Sequence, residues 1–323
     1  MTTPAERTSS PTDGITVVVC TRRRPGSVAR LLTSLEQQRR APDALFVVDA
    51  SEDEQTEQVV RKFVDGRALR CTPRYWRVGA EDRGLPRQRN FALARVETDL
   101  VVFFDDDVVL APECLHVLER TCRDHPDAVG VGCMSENELR GPSAIWQLRR
   151  RLGIVRTLEP GRYCRTGLSV PWAFVEPGHD VIEGDWLPRY GMLWVTSVAR
   201  AVGFRPEFRG YAQGEDLDFS LRASRHGRLL LACGARLQHL HEPAGRPDAY
   251  RLGYMELYNR YVIHRELPDR TWRDVVRFAY AWTMDTALLF RHVGDGSAMR
   301  AGQQAAGRLS GGLAVIAGRR ADQ

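Results

Sequence analysis

The sequence predicts an α/β fold in which a twisted, mainly parallel sheet carries helices on both faces and a helical appendage follows. Three observations carry that prediction. Continuous β-branched or aromatic runs occur at residues 15–20, 44–48 and 100–104, the composition of strands buried on both faces. Between them apolar residues recur at helical spacing, so strands alternate with helices, a pattern that winds right-handedly into a parallel sheet. From Tyr250 onward the chain reads as mostly helical and rich in Arg and aromatic residues.

Taken in order, residues 1–13 are Thr/Ser/Pro-rich without an apolar h-region and read as a loose tail, not a signal peptide. The first strand, Ile-Thr-Val-Val-Val-Cys, stops at Thr21-Arg-Arg-Arg-Pro-Gly26; Val28, Leu31, Leu32 and Leu35 then mark an amphipathic helix. A second strand ends in Asp49. Ser51 and Glu54 follow with capping-box spacing, ahead of the Val59, Val60, Phe63 face of a second helix. A short strand at residues 75–78 precedes a Gly-Leu-Pro turn and a helix carrying Phe91, Leu93 and Ala94. The strand at 100–104 runs directly into Asp105, Asp106 and Asp107.

Residues 141–189 mix Pro, Gly, Trp and charge with weak periodicity, which suggests loops and short strands shaping a pocket. Regular structure resumes with a strand at 192–195 and a short helix to Val202. Gly214-Glu215-Asp216 opens a helix bearing Leu217 and Leu221, with Gly227 as its C-terminal cap; a strand at 229–232 leads to Gln238-His239-Leu240-His241.

The composition excludes several classes. With 323 residues, 43% of them hydrophobic, the chain has a full core and is not disordered. Lys62 is its one lysine, against 45 arginines; the net charge of +5 is mild and the acids are interspersed, so nucleic acid is not an expected partner. Seven scattered cysteines form no C-x-x-C pair and indicate neither a zinc site nor a disulfide framework. No apolar stretch approaches the roughly 20 residues of a spanning helix, and the expected setting is a reduced cytoplasm.

Ligands of parallel α/β sheets bind beyond the carboxyl ends of the strands, which singles out Thr21, Asp49 and Asp105–Asp107. Three consecutive aspartates raise one another's pKa and destabilise the fold unless something neutralises them. Asp105 and Asp107, at i and i+2 of an extended turn, can offer oxygens to one hard divalent cation, Mg²⁺ or Mn²⁺, that bridges substrate phosphates. An acidic cap on a following helix would account for one such aspartate but not three.

The segments ITVVVCTRRRP, ALFVVDASED, RGLPRQRN, LVVFFDDDV and GEDLDFSLR, in this order and spacing, resemble glycosyltransferase family 2 enzymes of the GT-A fold, over about residues 14–243. The resemblance implies a GT-A type, Rossmann-like nucleotide-binding sheet. It also implies an inverting transferase that moves a hexosyl or deoxyhexosyl group from a nucleotide diphosphate sugar to an acceptor, with Mg²⁺ or Mn²⁺ holding the diphosphate. The expected organisation is a tail at 1–13, a catalytic domain at 14–243 (14–130 for the nucleotide sugar, 131–243 for the acceptor) and helices at 244–323.

By the same resemblance, Thr21 ends the first strand against the base. Asp49 is the first aspartate of an Asp-Asp-x-Ser turn that includes Ser51, with Ala50 in place of the second aspartate. Gly84, Arg89 and Asn90 would line the nucleotide–sugar pocket, Arg89 facing phosphate, and Asp106 joins them. Asp105 and Asp107, with His239 or its runner-up His241, would hold the metal. Asp216 would be the general base that takes the acceptor proton, and Glu215 would contact the acceptor or orient its neighbour. Asp185 and Trp186 match a stretch that usually reads Asp-Trp-Leu-Pro-Gly-Gly-Asn-Met, where Trp186 would stack on a sugar; here Arg189 and Tyr190 replace the glycines.

The acceptor is expected to be a carbohydrate, a lipid-linked glycan or a small molecule. Two stretches, Ile145/Leu148/Leu152 beside Arg149–Arg151 and residues 275–290, are compatible with peripheral binding at the inner face of a membrane, or equally with packing on the catalytic domain. A homodimer is also compatible. A sugar-nucleotide-binding scaffold without turnover is kept as an alternative by Ala50. A sugar-nucleotide nucleotidyltransferase trails it, because a glycine-rich loop is missing after the first strand, and a dinucleotide oxidoreductase fails for want of G-x-G-x-x-G.

Overall fold

The structure, a computed structural model, describes residues 12–66, 71–208, 211–242, 247–292 and 298–318. Most of the expected tail and the expected boundary at 243–244 lie outside the described residues. Nine strands form one mixed sheet: β1 (Thr12–Thr21), β2 (Ala44–Asp49), β3 (Arg74–Arg77), β4 (Thr98–Asp105), β5 (Val108–Leu110), β6 (Ala128–Ser135), β7 (Val181–Gly184), β8 (Gly191–Val195) and β9 (Arg228–His239). Their order is β3-β2-β1-β4-β8-β6-β9-β5, with β7 also on β9. The first four strands pair in parallel, as expected, whereas β8 enters antiparallel between β4 and β6.

The period-2 geometry of a strand explains the two cores. Ile15, Val17 and Val19 of β1 face α1 (Pro25–Glu36), α2 (Gln55–Gly66) and α4 (Cys114–Asp124), meeting Leu31, Leu35, Phe63 and Leu118. Val18 and Cys20 face the other way, toward α3 (Leu85–Leu93), α6 (Thr196–Val202) and α7 (Glu215–Ala223), with Phe103, Trp194, Phe204 and Phe219. A strand covered on both sides must be apolar at every position, hence Val-Val-Val.

Beyond the sheet, α5 (Ala144–Arg151) and the loops to Phe174 pack with α9 (Trp272–Ala287) through Ile154, Val170, Phe174, Phe278 and Trp282. Helices α8 (Ala249–Arg265) and α10 (Ala298–Ile316) cross closely. A Cβ on Gly307 would collide with the backbone oxygen of Tyr250, and one on Gly253 with that of Gln304, so both positions require glycine. Tyr258 and Ile263 of α8 reach Leu217 of α7, so the C-terminal helices pack on the element that opens with Glu215. No helix among the described residues is long and apolar enough to cross a membrane.

Two local expectations are corrected. Ser51 does not cap α2: its hydroxyl donates to Asp49 and accepts from the Arg23 amide, while Asp53 accepts from the Gln55 amide at the helix start. Gly227 does not cap α7, which ends at Ala223; it precedes β9, packed where a Cβ would lie 2.6 Å from the Asp127 carbonyl oxygen.

Candidate active site

The register of the sheet assembles the site. Thr21 pairs with Asp49 across β1 and β2, and Cys20 with Asp105 across β1 and β4, so the residues gather at the carboxyl ends of the strands. Asp106 and Asp107 form the turn into β5, whose Val108 lies opposite His239 of β9; the Leu240 amide donates to the Asp107 carbonyl at 2.8 Å. Thus β5, only three residues long, serves to bring β9 beside the aspartates.

Each aspartate has a different environment. Asp105 is within 3.3 Å of Arg89 Nη2 and 3.5 Å of Arg189 Nε, and burial raises its pKa. Asp106 accepts from the Thr21 hydroxyl at 2.6 Å and Arg24 Nη1 at 2.9 Å, yet burial pushes it up to about 6. Asp107 meets His239 Nε2 at 3.3 Å and Arg24 at 3.6 Å. Burial works against its charge, but the hydrogen bond and charge of His239 hold it down at about 2. His239 shows the reciprocal effect: burial disfavours the imidazolium, and Asp107 and Glu138 raise it to about 9.

The neutralising charge that three consecutive aspartates require comes in part from the protein itself. Arg24, Arg89, Arg189 and His239 supply the counter-charge. The geometry still fits a cation: one ligand atom each from Asp105, Asp107 and His239 lies within 4.8 Å of the others. Two carboxylate oxygens and an imidazole nitrogen suit Mn²⁺ and, less closely, Mg²⁺. Glu138, His239 and His241 satisfy the same distance criterion. His239 is thus shared, while His241, half-exposed at φ 54°, sits on Glu138 at 2.8 Å.

Asp216 and Glu215 occupy the first turn of α7, after Gly214 in the left-handed region at φ 86°. Both are buried. Glu215 Oε1 takes the Arg89 guanidinium at 2.5 Å, and its Oε2 has no partner among the described residues. Burial pushes Glu215 up to about 8, with Arg89 pulling the other way.

Arg89 and Asn90 have other partners than a donor phosphate. Arg89, 1% exposed, lies beneath the site between Glu215 and Asp105, flanked by Phe103 and Phe204. Asn90 clamps both backbone groups of Phe204, at 2.7 and 2.8 Å. Asp49 is fully buried, its oxygens taken by Ser51 and Tyr75 Oη, and holds its own turn together. Gly84, at φ 116°, makes the sharp entry to α3. Asp185 accepts from the Tyr163 amide at 2.8 Å and also meets Arg162 at 3.4 Å. Trp186 packs on Trp172, and its indole nitrogen, buried, finds no partner among the described residues.

Sequence reasoning missed Glu138, Arg24, Tyr211 and Tyr75, and noted Arg189 only as a departure from the glycines of the Asp-Trp-Leu-Pro stretch. No motif marks the other four: they become visible through strand pairing, β5 with β9 for Glu138 and β2 with β3 for Tyr75, or through the fold of a loop.

Residues 16–165 match the sequence profile described as Glycosyl transferase family 2. That stretch of the chain is similar to glycosyl transferase family 2. The family 2 match spans the four parallel strands and all three aspartates, and the full fold is of GT-A type. Among solved structures, the mannosyltransferase PcManGT from Pyrobaculum calidifontis, in complex with GDP-Man and Mn²⁺, aligns at TM-score 0.58 and 15% identity, covering 96% of this chain and 90% of that one. S. aureus TarS 1–349 aligns at TM-score 0.55 and 14% identity, covering 95% and 92%. The same TarS fragment in complex with UDP-GlcNAc aligns at 0.53 and 14%, again covering 95% and 92%. No curated protein matches the sequence significantly.

Proposed function

We propose that this protein is a glycosyltransferase, a metal-dependent, inverting enzyme that transfers a hexosyl or deoxyhexosyl group from a nucleotide diphosphate sugar to an acceptor hydroxyl. The observation that carries the reading is the convergence of Asp105, Asp107 and His239 at the carboxyl ends of the strands, beside an Arg89 that joins Asp105 to the Glu215–Asp216 turn. PcManGT with GDP-Man and Mn²⁺ and TarS with UDP-GlcNAc supply the analogy for the donor class. With Ala50 in place of the second aspartate, the base stays open among uracil, thymine and guanine, and the sugar stays open with it.

Asp105, Asp107 and His239 would hold Mg²⁺ or Mn²⁺, which when bound offsets the charge of a diphosphate. The protein's own residues do the rest. Thr21 and Asp106 fix the turn beneath the nucleotide. Asp216, at the N-terminal end of α7, accepts the acceptor proton as its oxygen bonds to the anomeric carbon and the bond to the diphosphate breaks. Arg89 locks Glu215 and thereby the first turn of α7.

We assign residues 14–243 to the catalytic unit and the following helices to its support, in a cytoplasmic protein acting on a carbohydrate, lipid-linked or small-molecule acceptor. The decisive variant is Asp216→Asn. It should lower turnover of the donor by about 10²–10⁴-fold while leaving donor affinity within twofold. Full turnover in Asp216→Asn would refute the base assignment, and donor binding without turnover in the wild type would show a scaffold.

A further inference from the structure

Arg189 stands apart from the other guanidinium groups of the site. Arg89 is sealed in, whereas the side chain of Arg189 remains 27% exposed. Its Nε lies 3.5 Å from Asp105 Oδ2, and its Nη2 donates to Tyr211 Oη at 2.8 Å. The guanidinium also lies over the Tyr211 ring, 5.0 Å from its centroid. Its Nη1 makes no hydrogen bond among the described residues. Arg189 therefore spans the ground between the first aspartate and the loop that leads to Glu215 and Asp216, with donor capacity in hand.

The support is built for orientation. Tyr211 is followed by Ala212, which is buried at φ 51°, a conformation an alanine holds only when its surroundings enforce it. Gly214 then turns the chain into α7. The backbone oxygen of Arg189 accepts from Arg89 at 3.4 Å, so the residue is held at both ends. A planar guanidinium with a free edge, fixed on an aromatic ring, is suited to bind phosphate oxygens.

We propose that Arg189 is a donor-phosphate-binding residue: without ligand it holds Asp105, and with a nucleotide diphosphate sugar bound it turns its free edge to the phosphate nearest the sugar, oriented by Tyr211. The assignment rests on the glycosyltransferase reading above. In the transfer, the bond between the anomeric carbon and the phosphate oxygen breaks and both electrons stay on that oxygen. Arg189 would stabilise the charge developing there without giving up a proton, and the acceptor proton goes to Asp216. The site has a reason to need it. Five carboxyl groups, Asp105, Asp106, Asp107, Glu215 and Asp216, surround a place where a dianionic diphosphate must sit, and Arg24 and Arg89 are already committed to them.

The test is calorimetric titration of UDP, dTDP and GDP, with uridine, thymidine and guanosine as phosphate-free controls, each with Mn²⁺, on wild type, Arg189→Gln and Tyr211→Phe. Whichever diphosphate the wild type binds should bind about tenfold or more weakly to Arg189→Gln and a few-fold more weakly to Tyr211→Phe. The matching nucleoside should be unaffected. Mn²⁺ titrated alone should bind Arg189→Gln at least as tightly as wild type, because Asp105 loses a competing cation. A purely structural role would weaken nucleoside and diphosphate together, or lower Mn²⁺ affinity in step, and either result overturns the proposal. Unchanged diphosphate affinity in a folded Arg189→Gln overturns it too. A wild type that binds none of the three diphosphates removes the glycosyltransferase reading itself, and this assignment with it.

Discussion

Replacing Arg89 by methionine tests whether the Arg89–Glu215 pair organises the site. The substitution keeps much of the aliphatic bulk between Phe103 and Phe204 but deletes the charge. Lost are a buried, charge-assisted contact to Glu215 at 2.5 Å and a second to Asp105 at 3.3 Å. Breaking a buried pair by removing one partner costs about 3–5 kcal/mol, mainly because the other charge stays buried. Glu215 moderates that figure, since burial already pushes it up to about 8 and it can take up a proton at neutral pH. We therefore expect about 3 kcal/mol for Arg89→Met by urea denaturation at pH 7, toward the low end of that range.

The double variant Arg89→Met/Glu215→Gln also removes the carboxyl group that Arg89→Met leaves without its partner. It should recover part of the loss, with a coupling energy of at least about 1.5 kcal/mol in the double-mutant cycle. A cost below about 1 kcal/mol for Arg89→Met, or additive single effects, would refute the reasoning, because it would mean the pair is not held as the structure shows.

Other predictions follow from single contacts. Thr21→Val removes the 2.6 Å hydrogen bond to buried Asp106 and should cost about 1–3 kcal/mol, read by denaturation, while moving the Asp106 pKa further above about 6. Gly184→Ala would press a Cβ into the Trp172 ring; by about 1–3 kcal/mol of overpacking it should lower Tm. Asp274 accepts from the Thr271 amide and hydroxyl at the start of α9 and pairs with Arg165 and Arg277. The Thr271 backbone hydrogen bond is the main reason its pKa is lowered. A lowered carboxyl pKa contributes stability that is present above the unfolded value and lost as pH falls through the folded one. Thermal denaturation from pH 7 down to pH 2 should then show Asp274→Asn destabilised at neutral pH by about 1–2 kcal/mol, with the gap to wild type beginning to narrow only below about pH 4.

The sheet was legible because strands covered on both faces admit little but β-branched and aromatic residues, so β1, β2 and β4 stand out as unbroken runs. β9 was only half legible: residues 229–232 are continuous, but the remainder, Cys-Gly-Ala-Arg-Leu-Gln-His, alternates between exposed and buried and includes a glycine. The aspartates and the Glu215–Asp216 turn could be read because position after a strand or glycine marks them. Arg24 could not, since nothing local distinguishes it from the other arginines, and Arg189 stood out only as a replaced glycine, without a role. Ser51 misled because capping-box spacing is a local pattern, whereas its hydroxyl was claimed by Asp49 in the turn before the helix. Arg89 pairs with Glu215 and Asp105 where the resemblance implied a phosphate. A guanidinium completely shielded by Phe103 and Phe204 can serve the carboxylates beside it but not a ligand above it.

The measurement that bears most directly on the account is the Mn²⁺ dependence of nucleotide diphosphate sugar binding in wild type and in Asp105→Asn/Asp107→Asn, by titration calorimetry over UDP-, dTDP- and GDP-linked sugars. The account predicts that at least one donor binds the wild type, that chelating the metal weakens binding at least about tenfold, and that the double variant no longer responds to metal. A wild type whose donor affinity is the same with and without Mn²⁺, or a double variant that keeps the full metal effect, would contradict it.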